Sequence, residues 1–348
     1  MTQQRVSGVK IAMVYIGTVV GAGFATGQEV LQFFVTFGVS GLWGIVLSTL
    51  LFVGYGILIM GLGLTVSAGS HRELLPRLGA GWFQRVMDAL IMVSLFSALT
   101  AMLAGTGALF AQQFGLPAVL GNALMGVVTV VTVCKGLRGV IGAISAVVPF
   151  LLVSVVVIGV VSLLDGPVTV SAPLPVQDGG LMRNWLWSAV LYGSYNILMS
   201  VAVLAPLGAE AKDKKAILRG GALGGIGLGA MSLIIFLAIT ANPESAGFEV
   251  PMLRLAGQAA PLAGALFSVV LLAEVYTTAV GSLYGFSARL QGRGRHTQLI
   301  AGTAGVAFLA SLLGFSNLVR YLYPLQGYGG LVLLVALLVA KRPRCGVR

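Results

Sequence analysis

Charged residues are scarce in this chain. Only 9 % of its 348 residues are Asp, Glu, Lys or Arg, whereas 57 % are hydrophobic and the mean hydropathy is +0.99. Soluble globular domains carry about 25 % charged residues, so this composition excludes that class. Because no hydrophilic stretch is long enough to form a second domain, we expect residues 1–348 to form one all-α polytopic membrane domain.

Residues that build disulfides, metal centres and many active sites are equally rare. The two cysteines, Cys134 and Cys345, cannot form a disulfide framework, and the two histidines fall in predicted inner loops. The sequence contains no HExxH motif and no GxxxxGK[ST] loop, and its GAG triplet lacks the βαβ context of a dinucleotide site. We therefore predict no enzymatic activity and no cofactor.

Long apolar runs are abundant. Ten of them are candidates to cross a bilayer core, which takes about 20 apolar residues. They lie approximately at 9–37, 41–66, 82–114, 119–135, 140–164, 184–209, 217–241, 260–290, 297–314 and 317–340.

The positions of Lys and Arg predict the orientation. With the N-terminus inside, 18 of the 21 basic residues fall in inner segments, and only Arg183, Arg254 and Arg320 fall in outer ones. Cytoplasmic loops are enriched in Lys and Arg, so both termini are predicted to be cytoplasmic in a bacterial cell membrane. The net charge of +11 then reflects topology, and no nucleic-acid partner is expected.

The connector at 165–180, rich in Pro, Gly and Asp, divides the chain into two halves of five runs, 9–164 and 184–340. An odd number of spans gives the halves opposite orientations, as in inverted-repeat transporters. A second long outer segment, 242–258, is a candidate lid with a short helix after Pro251. The alternative for that segment is a simple surface connector.

Glycines interrupt the first run at the stretch GTVVGAGFATGQE, residues 17–29. Glycine weakens a helix, and an unwound segment in lipid needs protein, water or ligand to satisfy its backbone groups. The sixth run has an apparent counterpart at Tyr192, Gly193, Ser194, Tyr195 and Asn196. We predict that helices 1 and 6 are both broken at mid-membrane around a site. The alternative is that these glycines only permit close helix packing.

The stretch GTVVGAGFATGQEVLQFF resembles the first-helix signature of bacterial YkvI-type membrane proteins, within the amino acid-polyamine-organocation superfamily of the LeuT fold. The span count and the inverted halves extend the resemblance over the whole chain. It implies a five-plus-five fold, alternating access and a small-molecule substrate, commonly an amino acid.

The predicted substrate site lies between the two breaks. The amides after Gly21 begin an outer half-helix whose positive dipole end can receive a carboxylate. Ser97 and Thr100 of the third run are further candidates, although small polar residues at this spacing also serve helix packing. The full predicted set is Gly21, Ala22, Gly23, Phe24, Ser97, Thr100, Tyr192, Gly193, Ser194, Tyr195 and Asn196.

The resemblance also implies a sodium site. Sodium-coupled members of the fold combine two adjacent hydroxyls and a carbonyl of the eighth helix with two carbonyls before the first break. In this chain those positions are Thr277, Thr278, Glu274, Gly17 and Val20. Taken alone, two threonines in a membrane helix usually bond to carbonyls one turn back. The fifth run lacks the lysine of some proton-coupled relatives, so Na⁺ is favoured over H⁺.

Two acidic residues, Glu29 and Glu274, fall deep in predicted spans, where an acid is costly and by default functional. Three functions follow from these features. The favoured one is a Na⁺-coupled secondary transporter of a small zwitterion or anion, and proton coupling through Glu274 or Glu29 is its variant. The others are a ligand-sensing subunit like germinant-receptor relatives, and a passive channel. The expected partners are a small substrate and the lipid bilayer, and no obligatory protein partner is evident.

Overall fold

The structure, a computed structural model, describes residues 6–67, 81–135, 140–164, 181–288 and 296–339. The predicted central connector at 165–180 lies outside these ranges. So do Cys345, His71 and most of the basic residues on which the predicted orientation rests.

The described residues are helical, which agrees with the predicted all-α class. An isolated bridge between Val6 and Ala211 is their one β-type pairing. Short 3-10 turns cover Val35–Phe37 and Pro243–Gly247. The α-helices are α1 (Gly8–Val19), α2 (Ala22–Ala25), α3 (Gln28–Phe33), α4 (Val39–Val66), α5 (Gly81–Phe114), α6 (Ala118–Lys135), α7 (Val140–Ser162), α8 (Trp185–Ala209), α9 (Lys214–Ala241), α10 (Pro251–Ala259), α11 (Pro261–Ala288), α12 (His296–Ser311) and α13 (Phe315–Val339).

Six of the described helices, α4, α5, α8, α9, α11 and α13, are long and apolar enough to cross a membrane. Shorter apolar helices lie in α1, α6, α7 and α12. Large apolar side chains such as Trp43, Leu50 and Leu338 are exposed on the outside of the helix assembly. An apolar exterior of this kind is suited to contact with lipid.

Helix α8 is the centre of the assembly. It packs against α4, α13 and α1. In its apolar 18-residue stretch 72 % of the residues are buried, a larger share than in any other of the six long helices. Gly208 lets α8 approach α4, because a Cβ at this position would overlap the backbone of Met60. Gly63 of α4 makes the reciprocal close approach to the backbone of Ala205. Small residues at such crossings are typical of membrane helices, which gain packing when their backbones come close.

We expect Gly208→Ala to lower the free energy of unfolding by about 1–3 kcal/mol, because the methyl group forces α8 away from α4. Gly54→Ala, on the exposed face of α4 with open space around its Cβ, is the matched control. Alanine favours helix over glycine, so the control should be as stable as the wild type or more stable. Thermal unfolding in detergent measures both, and equal destabilisation of the two variants would contradict the packing account.

The outer segment between α9 and α11 contains α10, which confirms the predicted short helix after Pro251. Its start bonds to the turn between α2 and α3, because the Met252 amide donates to the Thr26 carbonyl at 3.0 Å. The Gln112 side chain, near the end of α5, donates to the Val250 carbonyl at 2.9 Å and accepts from its amide at 3.1 Å. The segment is therefore held to two helices on one side of the molecule.

Glu249 attaches the same segment to a third helix. Its carboxylate accepts the amides of Phe315 and Ser316, the first residues of α13. Burial raises the pKa of Glu249, and these two hydrogen bonds lower it by less, so the net direction is upward.

Because of this raised pKa, we expect the contribution of Glu249 to the free energy of unfolding to fall as the pH rises. Between the ordinary pKa of a glutamate and the raised value, the folded chain binds more protons than the unfolded chain, so stability falls with increasing pH. Glu249→Gln removes this dependence while keeping one acceptor oxygen. Its thermal midpoint should therefore rise relative to the wild type between pH 4 and pH 7.

Glu244→Gln, in the same segment but fully exposed, serves as the control for that measurement. A wild-type chain that gains stability over Glu249→Gln as the pH rises would contradict the prediction. It would mean that the two amide bonds outweigh the cost of burial.

Candidate functional site

The first predicted span is interrupted, as expected, at the glycine stretch. α1 ends at Val19 and α2 begins at Ala22, with Val20 (ψ 94°) and Gly21 (φ −105°, ψ −174°) extended between them. The Gly21 amide bonds to the Val19 carbonyl at 3.0 Å and not to that of Gly17, as a continuing helix would require. The interruption thus leaves helix-end carbonyls on one side and first-turn amides on the other.

The segment after the break is shorter than the predicted outer half-helix. α2 has four residues, and Gly27 separates it from α3 with a φ of +82°, a conformation that favours glycine. The predicted outer half-helix thus begins at Ala22, as expected, but it is divided into two short helices. What remains is a single turn whose Ala22, Gly23 and Phe24 amides have no carbonyl partner within the turn.

The predicted break in the sixth run is also wrong. α8 is continuous through Tyr192–Asn196. The Ser194 hydroxyl bonds to the Leu191 carbonyl of its own helix at 2.9 Å and to the Gly327 carbonyl of α13 at 2.7 Å. The side-chain amide of Asn196 donates to the Tyr192 carbonyl, one turn back, at 3.1 Å. Polar side chains that bond within the helix do not require it to unwind, and Gly193 lies against Leu51, so it serves packing.

A cavity of about 200 Å³ lies beside the break in α1–α2. Helices α5, α8, α11 and α13 form the rest of its wall. Eleven of the predicted site residues line this cavity: Gly17, Val20, Gly21, Ala22, Gly23, Glu29, Tyr195, Asn196, Glu274, Thr277 and Thr278. The predicted substrate and ion sets therefore meet in one space.

The remaining predicted residues lie outside the cavity wall. Tyr192 belongs to an aromatic cluster, with its ring 5.3 Å from Phe33 and 4.8 Å from Phe34. The Thr100 hydroxyl bonds to the Phe96 carbonyl one turn back in α5. The predicted residues that do not line the cavity are Phe24, Ser97, Thr100, Tyr192, Gly193 and Ser194.

Sequence reasoning missed several lining residues. The chief omissions are Tyr323 and Gln326 of α13, both buried. A polar glutamine and Pro324 in the middle of an apolar run were the available signal, because such residues need a structural or functional reason in a membrane helix. The other omissions are mostly apolar and gave no signal: Thr18, Val19, Ala98, Met102 and Met199.

Glu29 lies at one end of the cavity. Its side chain is 5 % exposed, and its Oε2 accepts a short hydrogen bond from the Tyr195 hydroxyl. Gly23 makes room for the carboxylate, because a Cβ at this position would overlap Glu29 Oε1 and lie 3.1 Å from the Tyr323 hydroxyl. The Tyr195 and Tyr323 rings pack 5.1 Å apart, so two phenols and one carboxylate share this end.

Glu274 of α11 is the second carboxylate of the cavity wall. The Thr278 hydroxyl lies 3.5 Å from its Oε1, and its buried Oε2 has no hydrogen-bond partner among the described residues. The Thr277 hydroxyl bonds to the Glu274 carbonyl at 2.9 Å, which is the own-helix bond that threonines commonly make. Carboxylate, hydroxyl and carbonyl oxygens are the ligands that hard cations prefer.

Comparisons with known proteins identify the family. The chain is 31 % identical over 347 residues to the uncharacterized membrane protein YkvI of Bacillus subtilis (strain 168), with 99 % of each chain covered. This chain belongs to the YkvI family. The uncharacterized protein YyaD of the same organism is 29 % identical over 338 residues, with 96 % of each covered. No family model matches. The YkvI-type resemblance is thereby confirmed, and the chain is a multi-pass membrane protein.

Solved structures identify the fold. MhsT in complex with L-phenylalanine matches with a TM-score of 0.62 at 16 % identity, covering 96 % of this chain and 90 % of its own. A manganese transporter of Eremococcus coleocola matches at 0.59 and 13 %, covering 97 % and 81 %. The inward-facing conformation of Mhp1 matches at 0.54 and 18 %, covering 96 % and 74 %. These neighbours are LeuT-fold transporters, and at identities below 25 % the likeness shows that this chain has the same fold.

Two glycines of the break should differ in their tolerance to alanine. A methyl group at Gly21 meets no atom within 4 Å and the backbone there is extended, so Gly21→Ala should fold with wild-type stability. A methyl group at Gly23 displaces Glu29 Oε1, so Gly23→Ala should lose about 1–3 kcal/mol. Thermal unfolding of the two variants, side by side, measures the difference. Equal losses of stability in the two variants would show that both glycines are needed only for their backbone conformation.

Proposed function

We propose that this chain is a secondary active transporter that moves a small metabolite through the cavity by alternating access, coupled to Na⁺. The observation that carries the proposal is the cavity itself. It lies at a helix interruption and brings together free backbone groups, the carboxylates of Glu29 and Glu274 from separate helices, and the hydroxyls of Thr277 and Thr278. Such a site on an interrupted helix is what a LeuT-type transporter needs in order to hold a polar solute inside an apolar protein.

The proposed topology has ten spans in two inverted halves with cytoplasmic termini. Contacts between predicted inner segments support it, because the Val6 amide donates to the Glu210 carbonyl at 3.0 Å. Contacts between predicted outer segments agree as well, since Asn242 bonds to the Ser162 carbonyl at 3.1 Å and Gln112 bonds to Val250. Each set joins segments that the predicted topology places on the same side.

The proposed state is inward-open. The partly exposed residues of the cavity wall are Gly17, Thr18, Gly21, Met199 and Thr278. In the proposed topology Met199 and Thr278 lie in the cytoplasmic halves of their helices, and Gly17, Thr18 and Gly21 lie at the mid-membrane break. Glu29 and Tyr195, on the proposed outer side, are buried. The outer segment with α10 covers the opposite end, where it bonds to Thr26.

The proposed sodium site combines the carbonyls of Gly17 and Val20 with Glu274, Thr277 and Thr278. All five residues line the cavity, and the first two carbonyls lie where α1 ends. Binding of Na⁺ would draw α1 toward α11 and thereby couple the ion to closure of the inner side. Proton coupling through Glu274 or Glu29 is the variant that the same geometry allows.

The proposed substrate is an amino acid or a related small metabolite. The free amides of Ala22, Gly23 and Phe24 offer donors to a carboxylate. A volume of about 200 Å³ is below the roughly 300–1,000 Å³ of drug-sized pockets. One structural neighbour of the chain is described in complex with L-phenylalanine, which supports this class.

Sodium coupling can be tested in proteoliposomes to which a radiolabelled mixture of amino acids is added from outside. Replacing external Na⁺ with choline should abolish concentrative uptake, and Thr278→Ala should do the same because it removes a cavity hydroxyl. Thr303→Ala is the matched control, since that threonine bonds to the Leu299 carbonyl of its own helix α12 and lies outside the cavity wall.

Uptake that is unchanged both by the replacement of Na⁺ and by Thr278→Ala would refute the sodium site. Uptake that follows a pH gradient and is lost in Glu274→Gln would establish the proton-coupled variant. Saturable binding without flux would instead support a ligand-sensing subunit.

A further inference from the structure

We propose that Glu29 is the counter-charge for a protonated amine of the substrate, and that, among the amino acids and related small metabolites of the proposed function, the cavity favours those of net charge +1 over neutral zwitterions and anions. This inference rests on the proposed function, because it names the class of substrate that the same cavity admits.

The first step is the charge of the wall. The cavity is lined by two carboxylates, Glu29 and Glu274, and by no Lys, Arg or His of the described residues. Both carboxylates are nearly buried, with exposed fractions of 5 % and 4 %. Uncompensated charges in such surroundings are costly, so a cavity of this kind is most stable when positive charge enters it.

The second step assigns one positive charge to each carboxylate. Glu274 lies beside Thr277 and Thr278 and belongs to the proposed sodium site. Glu29 comes from a different helix and has no cationic partner among the described residues. With Na⁺ bound at Glu274, a substrate of charge +1 makes the filled cavity neutral, whereas a zwitterion leaves one negative charge and an anion leaves two.

The third step is the geometry at Glu29. Tyr195 donates its hydroxyl hydrogen to Oε2, which fixes the carboxylate as an acceptor. No described residue donates to Oε1, and both this oxygen and the Tyr323 hydroxyl lie beside Gly23. A free carboxylate oxygen with phenol oxygens around it matches the three donors of a primary ammonium group. The Tyr195 and Tyr323 rings add aromatic surface that also attracts cations.

The remaining polar groups agree with this assignment. The Asn196 side-chain nitrogen donates one hydrogen to the Tyr192 carbonyl, and its oxygen accepts no hydrogen bond from the described residues, so it is available as a further acceptor on the wall. Among the described residues of the cavity wall, the buried donor without a partner is Gln326 Nε2, which suits a neutral oxygen of the substrate. A negatively charged substrate would face Glu29 directly.

Three probe molecules of similar size test the charge rule: butylamine (+1), 2-aminobutyrate (zwitterionic) and butyrate (−1). Each is added with Na⁺ at neutral pH to the purified wild-type protein, and the shift of its thermal midpoint measures binding to the folded state. We expect butylamine to bind most tightly and butyrate not to bind. Stronger stabilisation by 2-aminobutyrate or by butyrate would overturn the proposal.

Three variants test the residue. Glu29→Gln keeps the shape and the acceptor for Tyr195 but removes the charge, so butylamine should bind about 10- to 100-fold more weakly. Glu29→Asp keeps the charge and should retain part of the affinity. Glu244→Gln removes an exposed carboxylate outside the cavity and should behave as the wild type. Unchanged butylamine binding by Glu29→Gln would overturn the proposal, as would an equal loss in Glu244→Gln.

A sodium titration of the same variants separates this proposal from the proposed function. Stabilisation by Na⁺ that is lost in Thr278→Ala, together with no effect of Glu29→Gln on butylamine, would leave the transporter intact and reject the amine site. Butylamine binding that depends on Glu29, with no response to Na⁺, would keep the amine site and reject sodium coupling. Because Glu29→Gln should still respond to Na⁺, that response also shows that the variant is folded.

Discussion

The backbone of Val20 and Gly21 leaves the helical path in the middle of an apolar protein, and the rest of the site depends on that departure. Backbone amides and carbonyls without helical partners are costly away from water, so they persist only where protein groups or a ligand satisfy them. The interruption places such groups on the wall of a cavity whose other members come from α5, α8, α11 and α13. A continuous first helix would have no free backbone groups to offer.

The second constraint is the space at Gly23. A side chain there would occupy the place of the Glu29 carboxylate, which Tyr195 holds by a hydrogen bond. The stretch from Gly17 to Glu29 therefore supplies two different chemistries within one short segment. Its first part contributes Gly17 and Val20 to the cavity wall near the end of α1, and its last part contributes the carboxylate of Glu29. In the proposed function these two parts bind two separate positive charges.

The sequence predicted what depends on local backbone chemistry. The glycine interruption of the first run and the short helix after Pro251 followed from residue type and spacing. The three α11 wall residues, Glu274, Thr277 and Thr278, were predicted with the guidance of the family resemblance. The proposed roles of these residues stay predictions. The sixth run shows the limit of the method, because Gly193 beside Ser194 and Asn196 looked like a second break. Whether such polar groups open a helix depends on partners, here Leu191 and Gly327, that no local pattern reveals.

The two α13 residues of the cavity wall could not be predicted from the sequence, because their position also depends on long-range partners. Tyr323 and Gln326 reach the cavity only because α13 packs against α8, and Gly327 and Gly330 permit that approach by lying against Leu191 and Ser194. Long-range packing of this kind decides which polar residue of an apolar helix meets the cavity. Met102 and Met199 also line the cavity, and nothing in the sequence distinguishes these apolar residues from others in their helices.

The central claim is that the cavity at the α1–α2 break opens to the cytoplasm and closes when the ion binds. Its most direct test is the labelling of Thr18→Cys, in a chain carrying Cys134→Ser and Cys345→Ser, by a membrane-impermeant thiol reagent. The account predicts labelling in inside-out vesicles, little labelling in intact cells, and slower labelling when Na⁺ is present. Labelling from the outer side only, or labelling from the inner side that Na⁺ does not change, would contradict it.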